Sequence, residues 1–127
     1  MNSHCKHLIA LHLILVVKYR KQLLIGDLGQ FIKDSTLEIS EVSDFSVEEI
    51  EIDKDHIHIL MRISPKYSVS EHVRNIKQMT TSRIWRAFPV LKKQFWLEKT
   101  FWSDGYFVCS VGNASSETIR KYIQEQG

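Results

Sequence analysis

Residues 56–63, HIHILMRI, alternate apolar and polar side chains, and a run of this kind belongs in a sheet with one face buried. Ile57, Ile59, Met61 and Ile63 fall on the buried face, and His56, His58, Leu60 and Arg62 on the other. The period then changes. Ser68 with Glu71 three residues on forms a capping box, and Val69, Val73, Ile76, Thr80, Ile84 and Ala87 recur at helical spacing until Pro89 stops them. A half-buried strand feeding an amphipathic helix requires a layer of helices on one side of a sheet.

The rest of the chain fits that requirement. Residues 7–18 read as a buried strand ending at the basic cluster Lys18, Arg20 and Lys21, and apolar residues at 28, 31, 32, 39 and 42 give a helix over 27–43. FSVEEIEID (45–53) alternates like a strand, but its apolar parity changes between Val47 and Ile50, which a turn or bulge near Glu48 explains. FWSDGYFVCSV (101–111) reads as a fourth strand, and the remaining residues turn into a closing helix with Ser115 as its cap. This order predicts an α+β, ferredoxin-like (RRM-like) β-α-β-β-α-β sandwich with an added C-terminal helix. Both long helices then cover one sheet face and leave the other open to a ligand.

With 127 residues and no repeat or linker, the expectation is a single domain spanning 1–127. No apolar stretch approaches the roughly 20 residues that cross a bilayer. HLIALHLILVV (7–17) is broken by histidine and lacks a cleavage site after it, so a cytoplasmic protein with no membrane contact is expected. Cys5 and Cys109 lie far apart and match no metal-ligand spacing, as expected of reduced thiols, with Cys109 in the core. Residues 34–55 carry nine of the 15 acids and one base, a balance of −8, so the remaining 16 bases and six acids leave +10 elsewhere. That asymmetry suits a nucleic-acid binder and equally suits solvated faces.

His56 and His58 project from the same strand face about 6.6 Å apart, a spacing from which two imidazoles can converge on one divalent ion. The pattern also fits two surface histidines or a dimer contact. A metallo-hydrolase of the H-x-H-x-D-H kind is excluded by Leu60 and Met61, a histidine-triad hydrolase by Leu60, and a barrel amidohydrolase by length. Two ligands leave a metal site incomplete, so a partner must come from elsewhere in the chain. In IRKYIQEQ, Tyr122 and Gln126 lie four apart and share one helix face. A tyrosine hydroxyl is a competent nucleophile and a glutamine carbonyl a possible metal ligand. An ordinary amphipathic terminal helix, with Ile119 and Ile123 as its apolar stripe, gives the same periodicity.

Taken together, LHLILVVKYRKQLL, DKDHIHILMRI and FWSDGYFVCSVGNASSETIRKYIQEQ resemble the HUH-type single-strand DNA tyrosine transposases of small bacterial insertion sequences, the TnpA group, over essentially the whole chain. The resemblance implies a prokaryotic, metal-dependent single-strand DNA endonuclease and strand-transferase. It makes His56, His58 and Gln126 the metal ligands, Mg2+ or Mn2+ the cofactor, and Tyr122 the nucleophile that forms a 5′-phosphotyrosine. It also implies a homodimer with active sites shared between subunits, acting on hairpin-marked DNA ends.

DNA contacts are then expected from Lys18, Arg20 and Lys21, and from a stripe of Arg74, Gln78, Thr81 and Trp85 flanked by Lys77, Arg83 and Arg86. In residues 88–102, Lys92, Lys93 and Lys99 mix with Phe95, Trp96 and Trp102, aromatics that either stack unpaired bases or plug the core. Two alternatives share this layout: a non-catalytic RNA- or single-strand-DNA-binding module, and a domesticated host relative. The exposed strand face offers histidines and Arg62 where an RNA-binding sheet presents paired aromatics.

Overall fold

The alternating run becomes the central strand β3 (His56–Ile63) of a four-stranded antiparallel sheet in the computed structural model, which describes residues 9–95, 100–111 and 116–126. Before it come β1 (Ile9–Val16), α1 (Gly26–Glu41) and β2 (Phe45–Asp53). After it come α2 (Val69–Ala87), α3 (Pro89–Gln94), β4 (Phe107–Ser110) and α4 (Ser116–Glu125). The strands lie in the order β2-β3-β1-β4.

One face of the sheet is the core. Leu11, Leu13, Leu15 and Val17 join Ile57, Ile59, Met61 and Ile63 in a single cluster with Ile32 and Ile39 of α1 and Val73, Ile76 and Ile84 of α2. Each buried side chain of this size contributes about 1.5–3 kcal/mol relative to exposure, so parity along the strands fixes which face the helices cover. The capping box forms as expected: Ser68 Oγ accepts from the Glu71 N–H at 3.1 Å, and Glu71 Oε1 accepts from the Ser68 N–H at 2.9 Å. These bonds hold the Glu71 carboxyl below the ordinary carboxylate range. The parity break in β2 is a bulge, because the register passes from Val47 opposite Met61 to Glu49 opposite Leu60 and leaves Glu48 over. Glu48 pairs with Arg62 across it.

Several sequence expectations are corrected. Pro89 ends α2 and also opens α3 from its first turn, where the missing N–H costs nothing. The fourth strand is Phe107–Ser110 and not the whole of 101–111, since residues 101–103 bend around the end of β1, with Trp102 bridging Val17. Phe95, Phe101 and Trp102 are at most 1% exposed, and the Trp102 indole donates to Thr80 Oγ1 at 2.9 Å. Phe95 and Trp102 therefore fill the core beside Trp85 and are closed to base stacking. Thr81 leaves the polar stripe, since it is buried and its hydroxyl accepts from the Phe101 N–H; Ala87 is exposed. Cys109 is half-buried on the sheet face away from α1 and α2, opposite His12, and burial raises its thiol pKa. Cys5, Trp96, Lys99, Ser115 and the Ile119 side chain lie outside the described residues. Among the described residues no helix is long and apolar enough to cross a membrane.

Candidate active site

Cross-strand pairing fixes what the second sheet face carries. Phe107 lies opposite Ile14, Ile14 opposite His58, and His58 opposite Glu51, making one row across four strands. A second row runs Val16, His56 and Asp53, and Ser103 extends it by donating its N–H to the Val16 carbonyl at 2.8 Å. Ile14 and Val16 are at most 1% exposed yet stand outside the main core cluster. They form a small apolar floor on this face.

The closing helix α4 lies over that floor. The Tyr122 ring packs on Phe107, with centroids 5.6 Å apart, in the row of His58. Gln126 Oε1 accepts from the Ser103 hydroxyl at 3.4 Å, beside the row of His56. Four helical residues advance about 6 Å and two strand residues about 6.6 Å, so the Tyr122 to Gln126 spacing matches the His58 to His56 spacing. Phe107 and His58 are two strands apart, roughly 10 Å. The Tyr122 hydroxyl is buried without a hydrogen-bond partner among the described residues, and burial pushes its pKa above the ordinary 10.0.

The two histidines are held differently. His56 Nδ1 is 2.9 Å from Asp55 Oδ1, an arrangement that leaves Nε2 as the nitrogen that could ligate. Asp55 in turn pairs with Arg20. His58 Nε2 lies 2.7 Å from Nδ1 of His12 on β1. Burial first, then the neighbouring His12 and His56, lowers the His58 pKa, with Glu51 and Glu49 opposing. A histidine held neutral is in the form that binds metal. Two imidazole nitrogens and an amide oxygen suit a divalent ion with open positions. No group of three or more His, Cys, Asp or Glu side chains gathers into a metal cage among the described residues. His12 and Asp55 are absent from the sequence-derived site. His12 shares the strand parity of Ile14, but only the register of β1 against β3 reveals that it reaches His58.

The cationic candidates divide by what their heads touch. The Lys77 ammonium donates to the Ser103 and Gly105 carbonyls at 2.9 and 2.7 Å, and burial lowers its pKa. Arg83 pairs with Glu38, Lys21 sits 5.8 Å over the Phe95 ring, and Arg86 reaches Ser82 Oγ at 3.5 Å. Arg20 joins Asp55 to the Gln124 carbonyl, and Lys18 is half-buried in the turn before it. Arg74, Lys92 and Lys93 are exposed. A cleft of about 460 Å³ lined by Arg74, Lys77, Gln78, Trp85, Thr100 and Ser103 runs beside α2 and reaches Ser103, which touches Gln126. A larger cleft of about 560 Å³, around Tyr67, His72 and Asn75, includes neither histidine of β3 nor Tyr122.

A helix-backed antiparallel sheet whose open face sets paired histidines under a tyrosine-bearing helix defines the class of the molecule, and comparison with known proteins gives the family. The IS200-like transposase family matches residues 5–126. The ISDra2 transposase TnpA of Deinococcus radiodurans is 31% identical over 91% of this chain and 81% of its own length. The transposase of insertion sequence element IS200 from Salmonella typhimurium is 30% identical over 97% of this chain and 77% of its own. A crystal structure from D. radiodurans R1, described as a transposase, superposes with a TM-score of 0.85 at 28% identity, covering 93% of this chain and 90% of that one. A tyrosine transposase solved with a REP hairpin shares the fold, with a TM-score of 0.56 at 11% identity over 91% of this chain and 62% of its own. The chain belongs to the IS200-like transposase family, whose members are enzymes that cut and join DNA.

Proposed function

We propose that the chain acts as a single HUH endonuclease domain on a ferredoxin-like scaffold, cutting and rejoining single-stranded DNA at hairpin-marked ends through Tyr122. The observation that supports this most strongly is the match of spacings, by which one helix lays Tyr122 and Gln126 along the rows of His58 and His56. His56, His58 and Gln126 would hold a divalent ion, Mg2+ or Mn2+, which would supply Lewis-acid charge to a bound phosphate.

The chain's own groups do the rest. Tyr122 Oη attacks phosphorus in line, the Oη–P bond forms, and the P–O3′ bond breaks. The phenol proton passes by way of solvent to the departing 3′ oxygen, leaving a 5′-phosphotyrosine and a free 3′-hydroxyl. No water is consumed, so a second 3′-hydroxyl can run the step backward and join a new strand. The raised pKa of the buried phenol means that substrate must both open the site and favour the phenolate. Depressing the His58 pKa works the other way, keeping its ring available for metal at lower pH than an ordinary histidine. DNA follows the cleft beside α2 toward Ser103, with Arg74, Arg86, Lys92 and Lys93 as the outward-facing phosphate contacts.

The direct test incubates the protein with a single-stranded oligonucleotide carrying a hairpin beside the cut site, together with Mg2+ or Mn2+. The wild type is expected to form a covalent protein–DNA adduct that is lost with chelator and in Tyr122→Phe; an adduct that persists in Tyr122→Phe would end the assignment. The reading includes a homodimer with shared sites. Because α4 docks on the sheet of its own chain, sharing requires the two subunits to exchange tyrosine helices; mixing Tyr122→Phe with a His56→Ala/His58→Ala double variant then restores cleavage, and no recovery would mean that each site is built within one chain.

A further inference from the structure

We propose that Arg20 and Asp55 form a junction that couples the seating of the tyrosine helix to the setting of His56, which makes Arg20 a positioning residue for both halves of the site. The inference rests on the reading above, in which His56 binds metal and Tyr122 attacks. It begins at Asp55, which uses each carboxylate oxygen once: Oδ1 toward His56 Nδ1 at 2.9 Å, and Oδ2 toward Arg20 Nε at 3.4 Å. The Asp55 backbone is itself fixed, because its carbonyl accepts from the Val17 N–H at 2.9 Å and the preceding Lys54 carbonyl accepts from Leu24 at 2.9 Å. A carboxylate behind a ligand histidine fixes its tautomer and ring plane.

The same guanidinium reaches the other half. Arg20 Nη1 donates to the carbonyl of Gln124 at 3.1 Å. Gln124 lies in the last turn of α4, where carbonyls lack intrahelical partners and a cation is favoured by the helix dipole. The bond falls two residues from Tyr122 and two from Gln126.

Backbone geometry gives an independent reason to single out Arg20. Tyr19 and Arg20 stand at φ +62° and +51°, two consecutive non-glycine residues in the left-handed region, a conformation that side-chain-bearing residues rarely adopt and that clusters at functional sites. The surrounding bonds enforce it: Lys18 N–H donates to the Phe101 carbonyl at 3.0 Å and Arg20 N–H to the Val17 carbonyl at 2.8 Å. The Arg20 side chain is 37% exposed and Asp55 14%, so water partly screens the pair and the effects are moderate.

The test uses the full chain without DNA and reads each half while disturbing the other. Hydrogen exchange of the α4 amides is compared in wild type and Asp55→Asn, a position with no bond to α4 among the described residues; exchange should quicken at least threefold. Mn2+ affinity is compared in wild type and Arg20→Ala, which contacts no proposed ligand; binding should weaken at least threefold. Arg20→Lys keeps the charge but not a fork that spans both partners, so it should move both readouts in the same directions by less, and it carries the comparison if Arg20→Ala does not fold. Either readout staying at its wild-type value in these variants overturns the coupling. The exchange arm needs no metal, so a His56→Ala/His58→Ala protein that still bound Mn2+ as wild type would sink the metal reading separately.

Discussion

On the face covered by α1 and α2, the side chains of Leu11, Leu13, Leu15, Val17, Ile57, Ile59, Met61 and Ile63 are all at most 6% exposed and belong to one cluster. On the opposite face, among the described residues, Ile14 and Val16 are buried to that degree, and half-buried His12, His56, His58 and Phe107 surround them. The first face is closed by two long helices whose apolar stripes match the sheet. The second is closed by a ten-residue helix docked through the Tyr122–Phe107 rings, the Arg20–Gln124 bond and the Ser103–Gln126 bond. A helix of that length is marginal alone, so its seating is the soft element of the fold. Stability is concentrated on one side and the proposed chemistry on the other, joined by strands that serve both.

The sharpest way to break that division is a reciprocal pair on neighbouring strand positions. Ile59→Ala empties a site in the core and should cost about 2–5 kcal/mol, read from urea unfolding. His58→Ala, one residue away on the other face, should abolish Mn2+ binding by calorimetry while lowering stability by about 1 kcal/mol, the scale of the one lost hydrogen bond to His12. If His58→Ala costs as much stability as Ile59→Ala, the two faces are not separable and the description fails.

A smaller effect tests the helical side alone. Ser68→Ala removes the acceptor for the Glu71 N–H and should lower stability by about 1 kcal/mol. DNA cleavage per folded molecule should stay at the wild-type rate, because the cap bonds run between Ser68 and Glu71 and reach neither His56, His58 nor Tyr122. A Ser68→Ala protein with normal stability and impaired cleavage would show that the cap serves the site.

How much of each face was legible follows the same division. The core face rests on local rules: strict alternation placed Ile57, Ile59, Met61 and Ile63, the capping box placed the start of α2, and a parity change placed the bulge at Glu48. Where local rules compete, the sequence misleads. Pro89 carries both a stop and a start, and its second role produced α3. The aromatic density of 95–102 resembles a stacking surface but supplies the ring cluster of Phe95, Phe101 and Trp102. On the site face, His56 and His58 are visible because they are two apart on one strand. The His12 bond to His58 and the Arg20 bridge from Asp55 to Gln124 span 46 and 104 residues, and no periodicity encodes contacts that depend on register and helix docking. The positive charge of Arg20 suggests a phosphate contact, yet its immediate partners are a carboxylate and a helix end.

The smallest expected effect concerns the protons of the site face. Burial, with His12 and His56 alongside, holds the His58 pKa below 6.5 in the folded chain, while Glu51 and Glu49 pull against it. As pH falls through the histidine range, the unfolded chain protonates this residue first, so the unfolded state binds more protons and stability declines. The loss begins near the unfolded value and ends once the folded ring also protonates. Urea midpoints at about pH 7.5 and 5.5 should therefore fall further in wild type than in His58→Gln, which removes the titrating ring. Added Mn2+ should raise the wild-type midpoint at the higher pH, and raise it less at the lower, because protons and metal compete for the same nitrogens. Equal pH slopes in the two proteins would mean that His58 titrates as a free surface residue. The site face would then lack the enclosure that α4 is assigned here, and the contrast between the two faces would lose its chemical half.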